Sequence, residues 1–449
     1  MVDFPIKPLL HDRTRALLEV ETEPGLGCTD PAAIGLCAAA AASLLSKAEI
    51  DALEVTIDPR LFKNAFRAVI PGAGNKSGLT LAAALGAIAG DPSLKLQVFA
   101  PVDANGLAKA QRLVEEGKIS IHIKQEEKEI YVKTVITARG QTAEAVITGQ
   151  HSHLAALSLN GQPQVGHPLL SRAGEQDRGL EELEQWLISL SLGDMLDLLD
   201  GLDADDLTYI QQGIEMNQRL ADYGVAHGPG LGVGQAQQRL VQQGLIAQDQ
   251  AVWAGILTAA AIDARMAGVL LPAMTLAGSG NQGIAASLPV AAAAQFVLIK
   301  DRQLILKAVT LSYLVTCYIK AHVGRLSALC GSSVAGGAGA AAGVVYLQGG
   351  AVDKIGGAIN NHLACGATVI CDGAKSSCAL KVGEAAAAAV KNARLALQGT
   401  VVRPFDGFIG QNAEDSIRHL GRLSREGLST MDAALLDIMV GQSGQSSCP

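Results

Sequence analysis

The 449-residue sequence predicts an α+β protein: a mainly helical catalytic domain with a smaller α/β module inserted near its start. Three observations carry this expectation. Long Ala- and Gly-rich stretches without charge, such as Met266–Ile299 and Leu326–Val352, suit closely packed buried helices. Between Glu49 and Gln162 the texture changes to short β-branched or alternating runs, the pattern of half-buried strands. Finally, 72 alanines and 50 glycines stand against 3% aromatics, so the core is built from small side chains that let backbones approach.

The elements follow in order. Residues 1–48 read as helical and as part of the catalytic domain, broken at Glu23-Pro-Gly-Leu-Gly27, with Thr29 or Asp30 as N-cap and Pro31 in the first turn. Residues 49–162 form the α/β module, with strands at Leu53–Ile57, Leu94–Ala100, Ile119–Ile123, Ile130–Thr137 and Thr142–Thr148 and helices near Ser77–Ala89 and Gly106–Glu116. His151-Ser-His153 puts two imidazoles on one strand face, which reads as a solvated face before it reads as a metal site. Residues 163–449 return to helix after a polar, Pro/Gly-rich connection, and end in a polar tail that carries Cys448.

Net charge −8 with few aromatics excludes a nucleic-acid surface, which needs basic and stacking groups. The two uncharged stretches reach membrane-span length, but one is cut by Pro272, Gly278 and Pro289, and the other is Ala, Gly and Ser. A membrane carrier is therefore set behind a cytoplasmic protein, and the N-terminal residues carry no signal-peptide pattern. In that compartment the eight cysteines are expected to be thiols.

Cys28, Cys330 and Cys371 share a setting: each lies beside glycine just ahead of an expected helix, where free N–H groups and the positive dipole end favour thiolate, sulfide or carboxylate. Cys378 follows Ser376-Ser377 and belongs to neither group cleanly, while Cys37, Cys317 and Cys365 read as core. Spacing alone is weak, with no C-x-x-C and no zinc-type run. Polar islands such as Ser279-Gly-Asn281-Gln282-Gly, Gly74-Asn75-Lys76-Ser77 and His227-Gly-Pro-Gly-Leu-Gly-Val-Gly expose backbone N–H groups that could hold a carboxylate; tight turns are the plainer reading. None matches a Walker A or dinucleotide fingerprint. The SGNQG loop is similar to the carboxylate loop of pyridoxal-phosphate dehydratases, yet no lysine lies between Lys133 and Lys300 to anchor that cofactor, so pyridoxal phosphate is not expected.

Together GLGCTDPAAIGL, PGAGNKSG, AGSGNQGI, LCGSSVAGGAGAAAG and CDGAKSSCALK resemble the L-cysteine desulfidase family, which is related to the alpha chain of bacterial iron–sulfur L-serine dehydratases. The resemblance runs from Gly25 to Lys381. It implies a 4Fe–4S cluster with one open iron, held by Cys28, Cys330 and Cys371, with Cys378 the alternative third ligand and Cys448 a further candidate for the open iron. It also implies a β-elimination that converts L-cysteine to pyruvate, ammonia and hydrogen sulfide. Substrate contacts are expected from Thr29, Asp30, Asn75, Lys76, Ser279, Asn281 and Gln282. The general base stays open among His227, His322, His362, Lys76 and Lys375. L-serine dehydration and a non-enzymatic cluster-bearing sensor are the alternatives. A homodimer without nucleic-acid or membrane partners is the expected assembly.

Overall fold

The computed structural model describes residues 6–45, 49–170 and 176–443; Cys448 and its tail lie outside them. The fold is α+β, with two hydrophobic cores. The smaller core lies on a six-stranded sheet in the order Ile119–Ile123, Ala52–Ile57, Tyr131–Ala138, Gln141–Thr148, Leu154–Leu159, Gln162–Pro163. The first pair is parallel and the others antiparallel. Alternation along Tyr131–Ala138 buries Val132, Thr134, Ile136 and Ala138 on one face, as a period of two requires.

Helices Thr29–Ser43 and Leu79–Ala89 pack against each other, the first lying against the sheet. Their contact explains the small-residue composition: a β-carbon at Gly86 would stand 2.2 Å from the Gly35 carbonyl oxygen. Gly86→Ala should therefore cost about 3 kcal/mol by overpacking, read as a lower urea midpoint at unchanged slope.

Leu94–Ala100 is not a strand. Asp91 accepts from the Ser93 N–H and starts a tight 3-10 segment, Pro92–Gln97, with Lys95 at φ 49°; Leu96, Val98 and Phe99 are buried without joining the sheet. An apolar run is buried equally well by a packed loop, and periodicity does not distinguish the two. Strand Leu154–Leu159 and helix Pro59–Ala65 were not anticipated from the sequence.

The larger core is helical. Gln250–Met266 runs through it against Ala204–His227, Gly280–Phe296 and Cys378–Leu397. Close approaches again rest on glycine, since a β-carbon at Gly224 would meet the Ala260 carbonyl at 2.0 Å. The segment 1–48 divides between the cores. Leu17 and Leu18 of Ile6–Glu21 join the helical core, whereas Ala32–Ala41 pack with the sheet. Both uncharged stretches break before their helices, Gly280–Phe296 and Gly337–Leu347. Among the described residues one helix, Arg302–Val323, is long and apolar enough to cross a membrane, and 78% of its apolar window is buried.

Candidate active site

The site forms where the two cores meet, and four chain segments are brought to it by backbone pairing. Pro24–Gly25 pairs antiparallel with Ala273–Met274, extended by the Thr275 N–H to Glu23 O and Ala277 N–H to Glu21 O bonds. Gly27 then turns at φ 66°, with Pro71 filling the space a side chain would need. Cys28 follows as the N-cap of Thr29–Ser43. The expected caps, Thr29 and Asp30, instead occupy the first turn. A second short pairing, Leu329 with Ile370, sets Cys330 and Cys371 side by side: the Cys330 N–H donates to Val369 O and the Cys371 N–H to Ala328 O. Cys378 is the first residue of Cys378–Leu397; its sulfur accepts from the Lys375 N–H at 3.5 Å and donates to Gly373 O at 3.6 Å.

These segments enclose a cavity of about 100 Å³ bordered by Cys28, Cys330, Cys371 and Cys378. Drug-sized and nucleotide pockets are several times larger, so a ligand here is small. Thr29, Asp30, Ser279, Asn281 and Gln282 border the cavity too. Ser279 is the N-cap of Gly280–Phe296, so that helix starts at the wall. Asn281 accepts from Arg265 Nη1 at 2.8 Å, and Gln282 donates to Leu276 O. Asn75 and Lys76 are exposed and do not border it.

His151 is a correction to the sequence reading. It is buried rather than solvated, because the turn after Gln141–Thr148 folds inward, and it borders the cavity. Its Nε2 lies 3.3 Å from Asp30 Oδ1, while its Nδ1 is buried without a partner. A β-carbon at Gly278 would stand 3.2 Å from that Nδ1, so glycine keeps the space before it open. His153 is also buried, with Nδ1 3.1 Å from Thr148 O.

Asp30 accepts from Asn64 at 3.2 Å and from the Cys28 thiol at 3.4 Å. Burial opposes its ionisation, yet the His151, Asn64 and Cys28 hydrogen bonds outweigh that and hold its carboxyl below the usual range. An ionised Asp30 fixes the proton of a neutral His151 on Nε2 and leaves the Nδ1 lone pair toward the cavity.

Cations surround the thiols. Arg265, Lys320 and Arg325 border the cavity, and Lys375 and Lys381 lie close enough to Cys378 to feel its charge. Burial lowers Lys320 to about 8 and also lowers Arg265 and Lys375. It pushes Cys28 far up, where Asp30 adds to it, raises Cys330 with help from Cys371, and raises Cys378 to about 12. Unligated, Cys28, Cys330 and Cys378 therefore stay protonated at neutral pH.

None of the five base candidates borders the cavity. His227 is exposed and stacked on Tyr223. His322 is tilted over Tyr318, with Nδ1 against the Tyr318 carbonyl. His362 is buried and donates from Nε2 to Ser333 O, bracing the π-turn Ser332–Gly336 that follows Cys330. Lys76 is exposed, and Lys375 donates to Phe66 O. Cys37 and Cys317 are core, but Cys365 is exposed near the end of Val352–Gly366, its sulfur accepting from Asn392. The HGPGLGVG loop wraps the protein's own Asp263, whose Oδ2 accepts from the Gly234 N–H. Burial nonetheless raises that carboxyl to about 6 against those backbone bonds.

Sequence reasoning missed Arg265, Lys320 and Arg325. Lys320 carries a usable signal, a single Lys inside the apolar run LVTCYIKAHV, and Arg265 a weaker one, since it shares the apolar run AAAIDARM with Asp263. A third buried cation, Lys63, donates to Asp432 at 2.6 Å and to Cys371 O at 3.0 Å, tying the C-terminal helix Met431–Ser443 to the site. Asp432→Asn should destabilise the fold by about 3 kcal/mol, since buried Lys63 would lose its carboxylate partner; thermal unfolding with and without Lys63→Met checks it, the double variant recovering part of the loss.

The residues fit an iron–sulfur cluster in their donor chemistry: free thiols, with Cys28, Cys330 and Cys378 buried and Cys371 half-buried, beside cations that would balance thiolate charge. Among the described residues no three His, Cys, Asp or Glu side chains stand close enough to share one metal ion. Cluster thiolates bind different irons and are spaced more widely than ligands of a single ion.

Fold and cavity together define an α+β protein with a small, cation-rich, thiol-lined site at the junction of two cores. The chain belongs to the serine dehydratase alpha chain family, whose model matches residues 115–437. Over 94% of its length it is 47% identical to a UPF0597 protein of Desulfatibacillum aliphaticivorans and 46% identical to one of Desulfotalea psychrophila, covering 97% of each. A UPF0597 protein of Geobacter sulfurreducens is 37% identical over 96% of this chain and 98% of its own length. The names of these three relatives state no activity.

Proposed function

We propose that the chain is an iron–sulfur-dependent β-eliminating lyase that converts L-cysteine and water to pyruvate, ammonia and hydrogen sulfide. The observation that carries this reading is the meeting of four cysteines with the His151–Asp30 pair in one small cavity. Cys28, Cys330 and Cys371 would hold the cluster; Cys378 is engaged within its own turn by Lys375 N–H and Gly373 O, which favours Cys371 as third ligand. When bound, the cluster supplies a Lewis-acidic iron for the β-sulfur of the substrate.

The chain's own residues account for the rest. The substrate carboxylate is held by the N-terminus of Gly280–Phe296 at Ser279 together with Arg265 and Arg325. His151 Nδ1 takes the Cα proton, and Asp30 stabilises the imidazolium that results. The electron pair left on Cα forms the Cα–Cβ double bond as the Cβ–sulfur bond breaks. Sulfide leaves as hydrogen sulfide after protonation, and the released aminoacrylate hydrolyses to pyruvate and ammonia. His151 and Asp30 are both buried, which limits bulk water at the proton transfer.

L-serine dehydration is the second reading, favoured by the family to which the chain belongs. Only the β-heteroatom differs between the substrates. An anaerobic assay of pyruvate release from L-cysteine and L-serine side by side decides between them: the first reading expects a higher kcat/KM for cysteine with stoichiometric sulfide. Iron-loaded protein that releases pyruvate from neither amino acid would reduce it to a sensor and overturn both.

A further inference from the structure

A second cavity, about 520 Å³, opens beside the first. The two share Arg325 and Leu326, which border both, so these residues form the partition between the inner site and the outer space. They lie on the link that follows Arg302–Val323, where Gly324 turns the backbone at φ 100°. Arg325 is drawn toward Glu21, 2.8 Å away, and Glu184, 3.5 Å away; Leu326 is only half-buried. The outer cavity carries three cations, Arg60, Lys128 and Arg325, and three anions, Glu129, Glu181 and Glu184. That balance suits a zwitterion better than a net anion or cation.

We infer that the outer cavity is the access route to the inner site, a vestibule for small zwitterionic amino acids whose inner door is Leu326 beside Arg325. This rests on reading the inner cavity as the amino-acid site. Size agrees: the vestibule, about 520 Å³, has several times the volume of the inner cavity, about 100 Å³, so a molecule that fits the inner site also fits the vestibule. Gln185, exposed on helix Gln176–Ile188, borders the vestibule; Glu182, exposed on the same helix, does not.

The test uses the full chain in two forms. In the iron-free protein, alkylation of Cys330 by iodoacetamide is timed by peptide mapping, with exposed Cys365 as internal reference. Gln185→Trp should slow Cys330 labelling several-fold relative to Cys365, Leu326→Ala should speed it, and Glu182→Trp should match the parent chain. In the iron-loaded protein Gln185→Trp should lower kcat/KM for the amino acid while leaving kcat unchanged. Equal labelling in Gln185→Trp and Glu182→Trp, with no acceleration in Leu326→Ala, overturns the route. Labelling that follows the expected pattern in a chain that turns over neither cysteine nor serine sustains the route and refutes the lyase reading separately.

Discussion

Cys330→Ser protein, reconstituted with iron and sulfide under anaerobic conditions, should be colourless and inactive, whereas the parent chain prepared alongside it should be brown with broad sulfur-to-iron absorbance. Cys330 and Cys371 are held together by the Leu329–Ile370 bridge, and removing one sulfur leaves the other without its neighbour on the cavity wall. Serine is close to cysteine in volume, so the fold should survive and far-UV circular dichroism should be unchanged. Cys378→Ser should instead retain colour, because Cys378 is engaged in its own turn. A parent chain that takes up no iron under these conditions would defeat the cluster assignment. Colour lost in Cys378→Ser and kept in Cys371→Ser would reassign the third ligand.

The second large effect is at His151. His151→Gln should lower kcat by about 10²–10⁴, the usual contribution of a positioned general base, with KM nearly unchanged and visible absorbance intact. The retained absorbance separates loss of the base from loss of the cluster. Asp30→Asn should fall in the same range, because an amide can no longer fix the imidazole proton on Nε2. A His151→Gln enzyme with parent kcat would remove His151 from the mechanism and leave Lys320, lowered by burial to about 8, as the next titratable group on the wall.

How much of this was legible beforehand differs between fold and site. Strands Ala52–Ile57, Ile119–Ile123, Tyr131–Ala138 and Gln141–Thr148 were readable from alternation, and helices Leu79–Ala89 and Ala104–Glu115 from apolar spacing, because each signal is local. Leu94–Ala100 was not, since the same apolar residues are buried by a loop whose partner, the Gly35 surface, is distant in sequence. The cysteines singled out by their glycine-flanked settings do border one cavity, together with the SGNQG residues. Asn75 and Lys76, chosen on the same local grounds, do not, because nothing in a tight turn states which way it faces.

His151 illustrates the limit most clearly. His151-Ser-His153 was visible as a pair of imidazoles, but its alternation implied a solvated face, and only the pairing of distant segments turns it inward onto Asp30, 121 residues away. Sequence by itself determined the class of fold, the small-residue core and the thiols at segment starts, because composition, period and capping act over a few residues. Tertiary structure alone decided which polar groups meet. The His151–Asp30 contact, the ring of Arg265, Lys320 and Arg325, and the adjacency of Cys330 to Cys371 each join residues tens to hundreds of positions apart. Such contacts are set by how two cores close on each other, a property of packing that no local pattern carries.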